Sequence, residues 1–136
     1  MAENALEDAL RLAQGRAVFV ATADSEGLPH VACAGRLALD PQGCVLVTEW
    51  FCPGTMENVE ENPQVALVVW DEEADRGYQM LGIVERMEEV AVLNGVGAPR
   101  EGHDVPQVER RLAVRVNVVM EFCRAQHTDT AARGGA

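Results

Sequence analysis

The sequence predicts a mainly β domain: six strands in a mostly antiparallel sheet, closed or partly open as a barrel. One helix precedes the first strand, and a short helix sits between strands three and four. Three observations carry this reading. The apolar runs are short and bounded by Gly, Pro, Asn and Asp, which punctuate strands and turns rather than long helices. Only two stretches carry helical start and stop signals. Most strands are joined by hairpin-like turns, and a sheet with so little helix to cover it buries its apolar face by curling.

The elements follow in order. Asn4, with Glu7 three residues on, is a capping signal. Ala5, Leu6, Ala9, Leu10, Leu12 and Ala13 follow at helical spacing as far as a stop at Gly15, so a helix is expected over Asn4 to Gln14, covering an open end or flank of the sheet. Ala17 to Thr22 is a short strand, and ADSEG a turn. Leu28 to Leu39 reads as one longer strand. Val31, Cys33, Gly35, Leu37 and Leu39 share one face, and His30, Ala32, Ala34, Arg36 and Ala38 the other. Its small residues from Ala32 to Gly35 fit either close approach by something flat or bulky, or a bulge or bend.

Asp40-Pro41-Gln42-Gly43 has the residues of a type I turn, and Cys44 to Trp50 is the next strand. The loop Phe51-Cys52-Pro53-Gly54 leads into a short helix over Thr55 to Glu61, with Thr55 as N-cap and Glu57 in its first turn. Asn62-Pro63 ends it. Gln64 to Trp70 is nearly all apolar, a buried strand with Trp70 in the core. Asp71 to Gly77 is a solvated loop, and Tyr78 to Ala91 a long strand bent at Gly82. Val92 to Pro106, with three Gly and two Pro, is the longest irregular stretch. Leu112 to Phe122 alternates: Leu112, Val114, Val116, Val118, Met120 and Phe122 on one face, Arg115, Asn117 and Glu121 on the other. One domain over residues 1–127 and a flexible tail over 128–136 result.

The 136 residues suffice for one core. Net charge is −11 and all eleven basic residues are Arg. The lack of lysine excludes a P-loop lysine and a Schiff-base lysine, and the negative field argues against nucleic acid as a partner. No apolar run approaches the roughly 18 residues that span a bilayer. The acidic start MAENALEDAL is unlike a signal peptide, so the protein reads as cytoplasmic. Cys33, Cys44, Cys52 and Cys123 form no CxxC and have no metal-ligand spacing with a His; they read as reduced thiols, with all but the loop residue Cys52 in the core.

Several motifs together resemble the pyridoxamine-phosphate-oxidase-like superfamily, the FMN-binding split β-barrel, and in particular its small bacterial FMN-binding proteins. They are VFVATADSEGLPHV (Val18 to Val31), DPQGCVLVTEW (Asp40 to Trp50), TMENVEENPQVALVVW (Thr55 to Trp70), Gly77-Tyr78-Gln79 with Gly82, and the final alternating strand. The resemblance implies a homodimer with FMN near the subunit interface. It places the cofactor against Cys33, Ala34 and Gly35, against the strand end that includes Thr48, Glu49, Trp50 and Phe51, and against the helix entry at Gly54, Thr55 and Asn58. The family commonly has Lys or Arg before that helix to hold the phosphate. Gly54 stands there, leaving backbone N–H groups, the Thr55 hydroxyl, or a substitute Arg such as Arg36.

Individual residues keep two readings. Thr55 is a phosphate ligand or a plain cap; Asn58 a ligand contact or a loop-bonding residue. Trp50 and Phe51 lie against the isoalloxazine or in a dimer core. Cys52, near a helix start, is a reactive thiol or an ordinary one. His30 is an edge residue or a flavin contact, and Glu49 a solvated strand end or a proton carrier. His103 and His127 carry no role. No catalytic constellation and no metal site emerges from spacing. The expected function is an FMN-dependent oxidoreductase or electron carrier with a small-molecule redox partner. The alternative is a non-enzymatic ligand-binding dimer that keeps the split barrel without FMN. A deazaflavin reductase lacks its basic groove here, and pyridoxamine phosphate oxidation lacks the basic residues for a second phosphate.

Overall fold

In the computed structural model of the protein, the described residues are 2–50, 53–90 and 109–125. Two helices and seven strands follow in the order α1 (Ala2–Ala13), β1 (Val18–Ala23), β2 (Pro29–Ala34), β3 (Arg36–Leu39), β4 (Val45–Trp50), α2 (Pro53–Glu61), β5 (Gln64–Asp71), β6 (Arg76–Val90) and β7 (Glu109–Phe122). All strands belong to one antiparallel sheet, in the order β2-β1-β5-β6-β7-β4-β3. Phe51, Cys52, the 92–106 loop, the 128–136 tail, His103 and His127 lie outside the described residues, as do the side chains of Glu49 and Trp50.

Seven strands replace the expected six because Leu28–Leu39 is divided at Gly35. The Gly35 N–H leaves the β1 side and donates to the Thr48 carbonyl at 2.6 Å. β2 pairs with β1 up to Val18↔Ala34, whereas β3 pairs with β4 from Arg36↔Thr48. The two end strands of the sheet are thus consecutive in the chain, and the sheet curls into a half-barrel. The break also switches faces: Ala34 is buried, and Leu37, not Arg36, packs against the core. Val31, Cys33 and Leu37 therefore do not share a side.

A second switch lies in β7. Leu81 pairs with Val118 and Gly82 with Val116, so Asn117 is an extra residue. Leu112 and Val114 face inward before it; afterwards Val119 is buried and Val118 is exposed. The expected single apolar face of this strand is split between the two sides of the sheet.

α1 starts at Ala2, so Asn4 is inside the helix rather than its cap. Ala5, Ala9 and Ala13 form its buried stripe. Gly15, at φ 76°, ends it as expected, while Arg16 Nη1 donates to the Leu12 carbonyl. In β5, Val65, Leu67 and Val69 alternate inward to meet Met80, Leu112 and Val114. Each such side chain contributes roughly 1.5–3 kcal/mol on leaving water. Trp70 is not part of this core. It is half-buried and stacks on Phe122 with ring centroids 5.4 Å apart. Among the thiols, Cys44 is buried, Cys123 half-buried and Cys33 exposed, so the expected core placement holds for Cys44 alone.

Candidate functional site

α2 begins two residues earlier than the Thr55 signal implies. Pro53 suits a first helical position because its missing N–H has no acceptor there in any case and its φ is preset. Thr55 is therefore not the N-cap, and no acidic residue occupies the first turn. Thr55 is fully buried and shares an inner stripe with Val59, one turn on.

Asn58, on the next turn, reaches β1: its Nδ2 donates to Thr22 Oγ1 at 3.0 Å. Thr22 pairs with His30 across the β1–β2 ladder. His30 comes back to the helix start, where its imidazole lies against Gly54. A Cβ placed on Gly54 would sit 3.0 Å from His30 Nε2 and 3.3 Å from Cε1. His30 Nδ1 is buried and has no hydrogen-bond partner among the described residues. Thr22, His30, Gly54 and Asn58 thus form one polar corner.

The expected residues divide around it. Gly54, Thr55 and Asn58 share the start of α2. Gly35 and Thr48 meet at the β2–β3 break, with Arg36 exposed on β3 opposite Thr48. Cys33 points to the outside and Ala34 to the core. Glu49 and Trp50 continue β4. The atoms nearest to position 54 are those of His30, not of Arg36. The sequence offers one signal for this contact, a glycine where a long side chain is customary.

Next to the corner, on the outer side of the sheet, runs a groove of about 500 Å3 bordered by Ala21, Thr22, Gln64, Leu81, Ile83 and Val118. Its floor continues as a row of paired residues, Val31, Ala21, Ala66, Leu81 and Val118, across five strands. Val31 is 63% exposed, and Phe19 and Ile83 are exposed on the same strands.

Elsewhere several arginines pair with carboxylates. A smaller hollow of about 240 Å3 is lined by Asp8, Arg11, Arg16, Arg76 and Tyr78, but its arginines pair with Asp8, Asp71 and Glu121. Burial raises the Tyr78 pKa, against the lowering effect of Arg76. Burial, and then Glu85 beside it, push the Cys44 thiol up, which makes it an inert thiol. No group of three His, Cys, Asp or Glu that could hold a metal occurs among the described residues. No helix among them is long and apolar enough to cross a membrane.

An antiparallel half-barrel sealed through one divided strand, with a helix at the barrel end and a short helix between β4 and β5, defines the split-barrel class. The chain belongs to the pyridoxamine 5'-phosphate oxidase family, which it matches over residues 4–122. It is 35% identical over 85 residues to an uncharacterised protein of Methanocaldococcus jannaschii, a match that covers 61% of this chain and 56% of that one. The chain thus spans little more than half the length of that relative.

Among solved structures it is similar to a pyridoxamine 5'-phosphate oxidase-related, FMN-binding protein from Nostoc punctiforme, with a TM-score of 0.60, 11% identity and coverage of 93% and 87% of the two chains. It is similar to an F420 reductase, with 0.58, 22%, and 83% and 94%. It is also similar to HutZ, the heme storage protein of Vibrio cholerae, with 0.50, 16%, and 83% and 89%. At these identities the likeness shows the shared fold.

What the corner offers an anion is backbone: Gly54 leaves the start of α2 without a side chain.

Proposed function

We propose that the protein is an FMN-binding flavoprotein that works as a homodimer and acts as an oxidoreductase or electron carrier. The observation that carries this reading is the meeting of two surfaces at Thr22. Thr22 lines the apolar groove and also accepts the hydrogen bond from Asn58 in the polar corner. FMN has the same two-part character, a flat ring with apolar faces joined to a phosphate. The groove volume, about 500 Å3, lies in the usual range for such ligands.

In this reading the start of α2, with Gly54, Thr55 and Asn58, receives the phosphate. The seam around Gly35 and Thr48 and the groove border the rest. Bound flavin supplies the redox chemistry; the chain supplies binding, orientation and exclusion of water. Val31 and Phe19, exposed apolar residues outside the groove, support the dimer, since exposed apolar surface on a small domain marks an interface. A second copy of the chain is the proposed occupant there.

The absorbance spectrum of the purified protein, with and without added FMN, tests the reading. Saturable binding with a flavin spectrum and quenched flavin fluorescence is expected. A colourless protein that leaves FMN fluorescence unchanged sinks it.

One observation favours a second reading, a ligand-binding dimer without FMN: Gly54 offers no side chain to a phosphate. Thermal-shift screening against FMN, deazaflavin, haem and nucleotides separates the two. Stabilisation by FMN alone defeats the second.

A further inference from the structure

We infer that Asn117 and Gln64 hold the polar edge of the ring that lies in the outer groove, and that this groove selects a neutral ring with an imide edge, an N–H between two carbonyls. The inference rests on the flavin reading above, since the isoalloxazine carries that edge, with N3–H at its centre. It names the residues that read it.

The slip between β6 and β7 is the first argument. Leu81 pairs with Val118 and Gly82 with Val116, which leaves Asn117 without a partner across the ladder. Val116 packs against the core and Val119 is buried, whereas Asn117 and Val118 are both exposed. A regular strand sends neighbouring side chains to opposite faces. Here the extra residue sends two in succession to the outer face, and both line the groove. Bulges are a usual means of re-aiming a side chain beside a site. This one sets a carboxamide next to an apolar floor.

Room is the second argument. Ala21 and Ala66, paired across β1 and β5, line the groove. Two positions along the same face the pair is Phe19 and Val68, which are far larger. Gly82 lines the groove too and adds no side chain. The space of about 500 Å3 thus lies over residues that end at Cα or Cβ. Gln64, two positions before Ala66 on the same face, borders it.

The third argument is chemical. The chain has 22 acidic residues and eleven arginines, yet among the described residues none of them lines the groove, and three carboxamides do: Asn62, Gln64 and Asn117. Asn62 Oδ1 accepts the Gln64 backbone N–H at 3.2 Å. The side chains of Gln64 and Asn117 have no hydrogen-bond partner among the described residues. A carboxamide carries an acceptor and two donors in one plane, which answers an edge that presents both carbonyl and N–H. An ionised carboxylate answers the N–H alone and a guanidinium the carbonyls alone. An uncharged groove with free carboxamides therefore suits a neutral heterocycle rather than an acid or an amine.

The test compares FMN with N3-methyl-FMN, which keeps the phosphate and replaces the N3 hydrogen. Dissociation constants for both are measured by fluorescence quenching on the wild type, Asn117→Ala, Asn117→Gln and Gln64→Ala, each checked for folding by circular dichroism. The wild type should prefer FMN. Both carboxamides are exposed, so binding exchanges bonds to water for bonds to the ring, and each alanine variant should cut the preference by roughly two- to tenfold. The affinity for N3-methyl-FMN should change less. Asn117→Gln keeps the carboxamide and should retain part of the preference.

Should Asn117→Ala disturb the bulge and fail to fold, Gln64→Ala and the wild type with FMN 15N-labelled at N3 decide: the N3 proton should exchange with water more slowly when bound than when free. Equal wild-type affinities for the two flavins, a preference unmoved by both alanine variants, or an N3 proton that exchanges as in free FMN overturns the inference and leaves the flavin reading standing. A wild type that binds neither flavin overturns both.

Discussion

Gly82 on β6 lies directly against the backbone carbonyl of Arg115 on β7, at the point where the two strands slip register around Asn117. A Cβ at residue 82 would also stand 2.9 Å from Val114 Cγ1. Neither neighbour can yield, since one is backbone and the other is a fully buried core residue. Gly82→Ala is expected to destabilise the fold by about 1–3 kcal/mol, the cost of overpacking. Urea denaturation measures it, and a midpoint equal to wild type would contradict the close approach.

The hydrogen bond between Asn58 and Thr22 ties α2 to β1. Asn58→Ala should lower stability by about 1 kcal/mol. It should also loosen the helix start and weaken FMN binding more than riboflavin binding. Equal losses for both flavins would remove Asn58 from the phosphate corner.

Asp40 closes the β3–β4 turn with a nearly buried carboxylate. It accepts N–H bonds from Gln42 and Cys44, each at 2.9 Å, and pairs with Arg86 at 3.2 Å. Burial acts to raise its pKa, but the Cys44 N–H and Arg86 outweigh it and the carboxyl ends below its ordinary value. The folded pKa is depressed, so the stabilisation is fully present above the unfolded value of about 3.9 and is lost as pH falls through the lower folded value. Glu85, lowered chiefly by its hydrogen bond from Arg115, adds to the same acid limb. Asp40→Asn should flatten that limb in denaturation midpoints taken between about pH 2 and 5. An unchanged limb would refute the assignment.

Leu67 is fully buried at the centre of β5, between β1 and β6. Leu67→Ala should cost about 2–5 kcal/mol, measured by the same denaturation. A loss under about 1 kcal/mol would mean the core collapses around the gap instead of keeping a cavity.

Val31, the most exposed residue of the outer apolar row, tests the proposed dimer. Val31 lies outside the core, so Val31→Glu should keep the wild-type circular dichroism spectrum while sedimentation reports half the mass of the proposed dimer. A variant that stays dimeric would place the interface elsewhere.

Much of the fold was legible because strand alternation and turn residues are local signals. The apolar run from Gln64 to Trp70 forms the expected strand, Gly15 stops α1, and the Asp40–Gly43 turn closes with a Gly43 N–H to Asp40 carbonyl bond of 3.0 Å. What the sequence hid were changes of parity. An extra residue at Asn117 or a break at Gly35 leaves the composition unchanged yet moves Val118 outward and Leu37 inward. The start of α2 was missed because Thr55 advertises a cap, although Pro53 carries its own signal. The absence of a cation at Gly54 was visible from sequence. Its partner His30 was not, because 24 positions separate the two and only the β1–β2 register brings them together.

The division of one strand at Gly35 has a consequence for where the chain tolerates change. β2 and β3 are the two margins of the sheet, and a single peptide stretch holds both. Residues inserted in the 72–75 turn would lengthen a hairpin and free no margin. The same insertion at Gly35 would unfasten both margins together and offer two rows of unpaired backbone groups to other molecules, the usual starting point of edge-to-edge aggregation. The half-barrel is closed by a clasp one residue wide. Light scattering on the two insertion variants should find aggregation in the Gly35 variant alone.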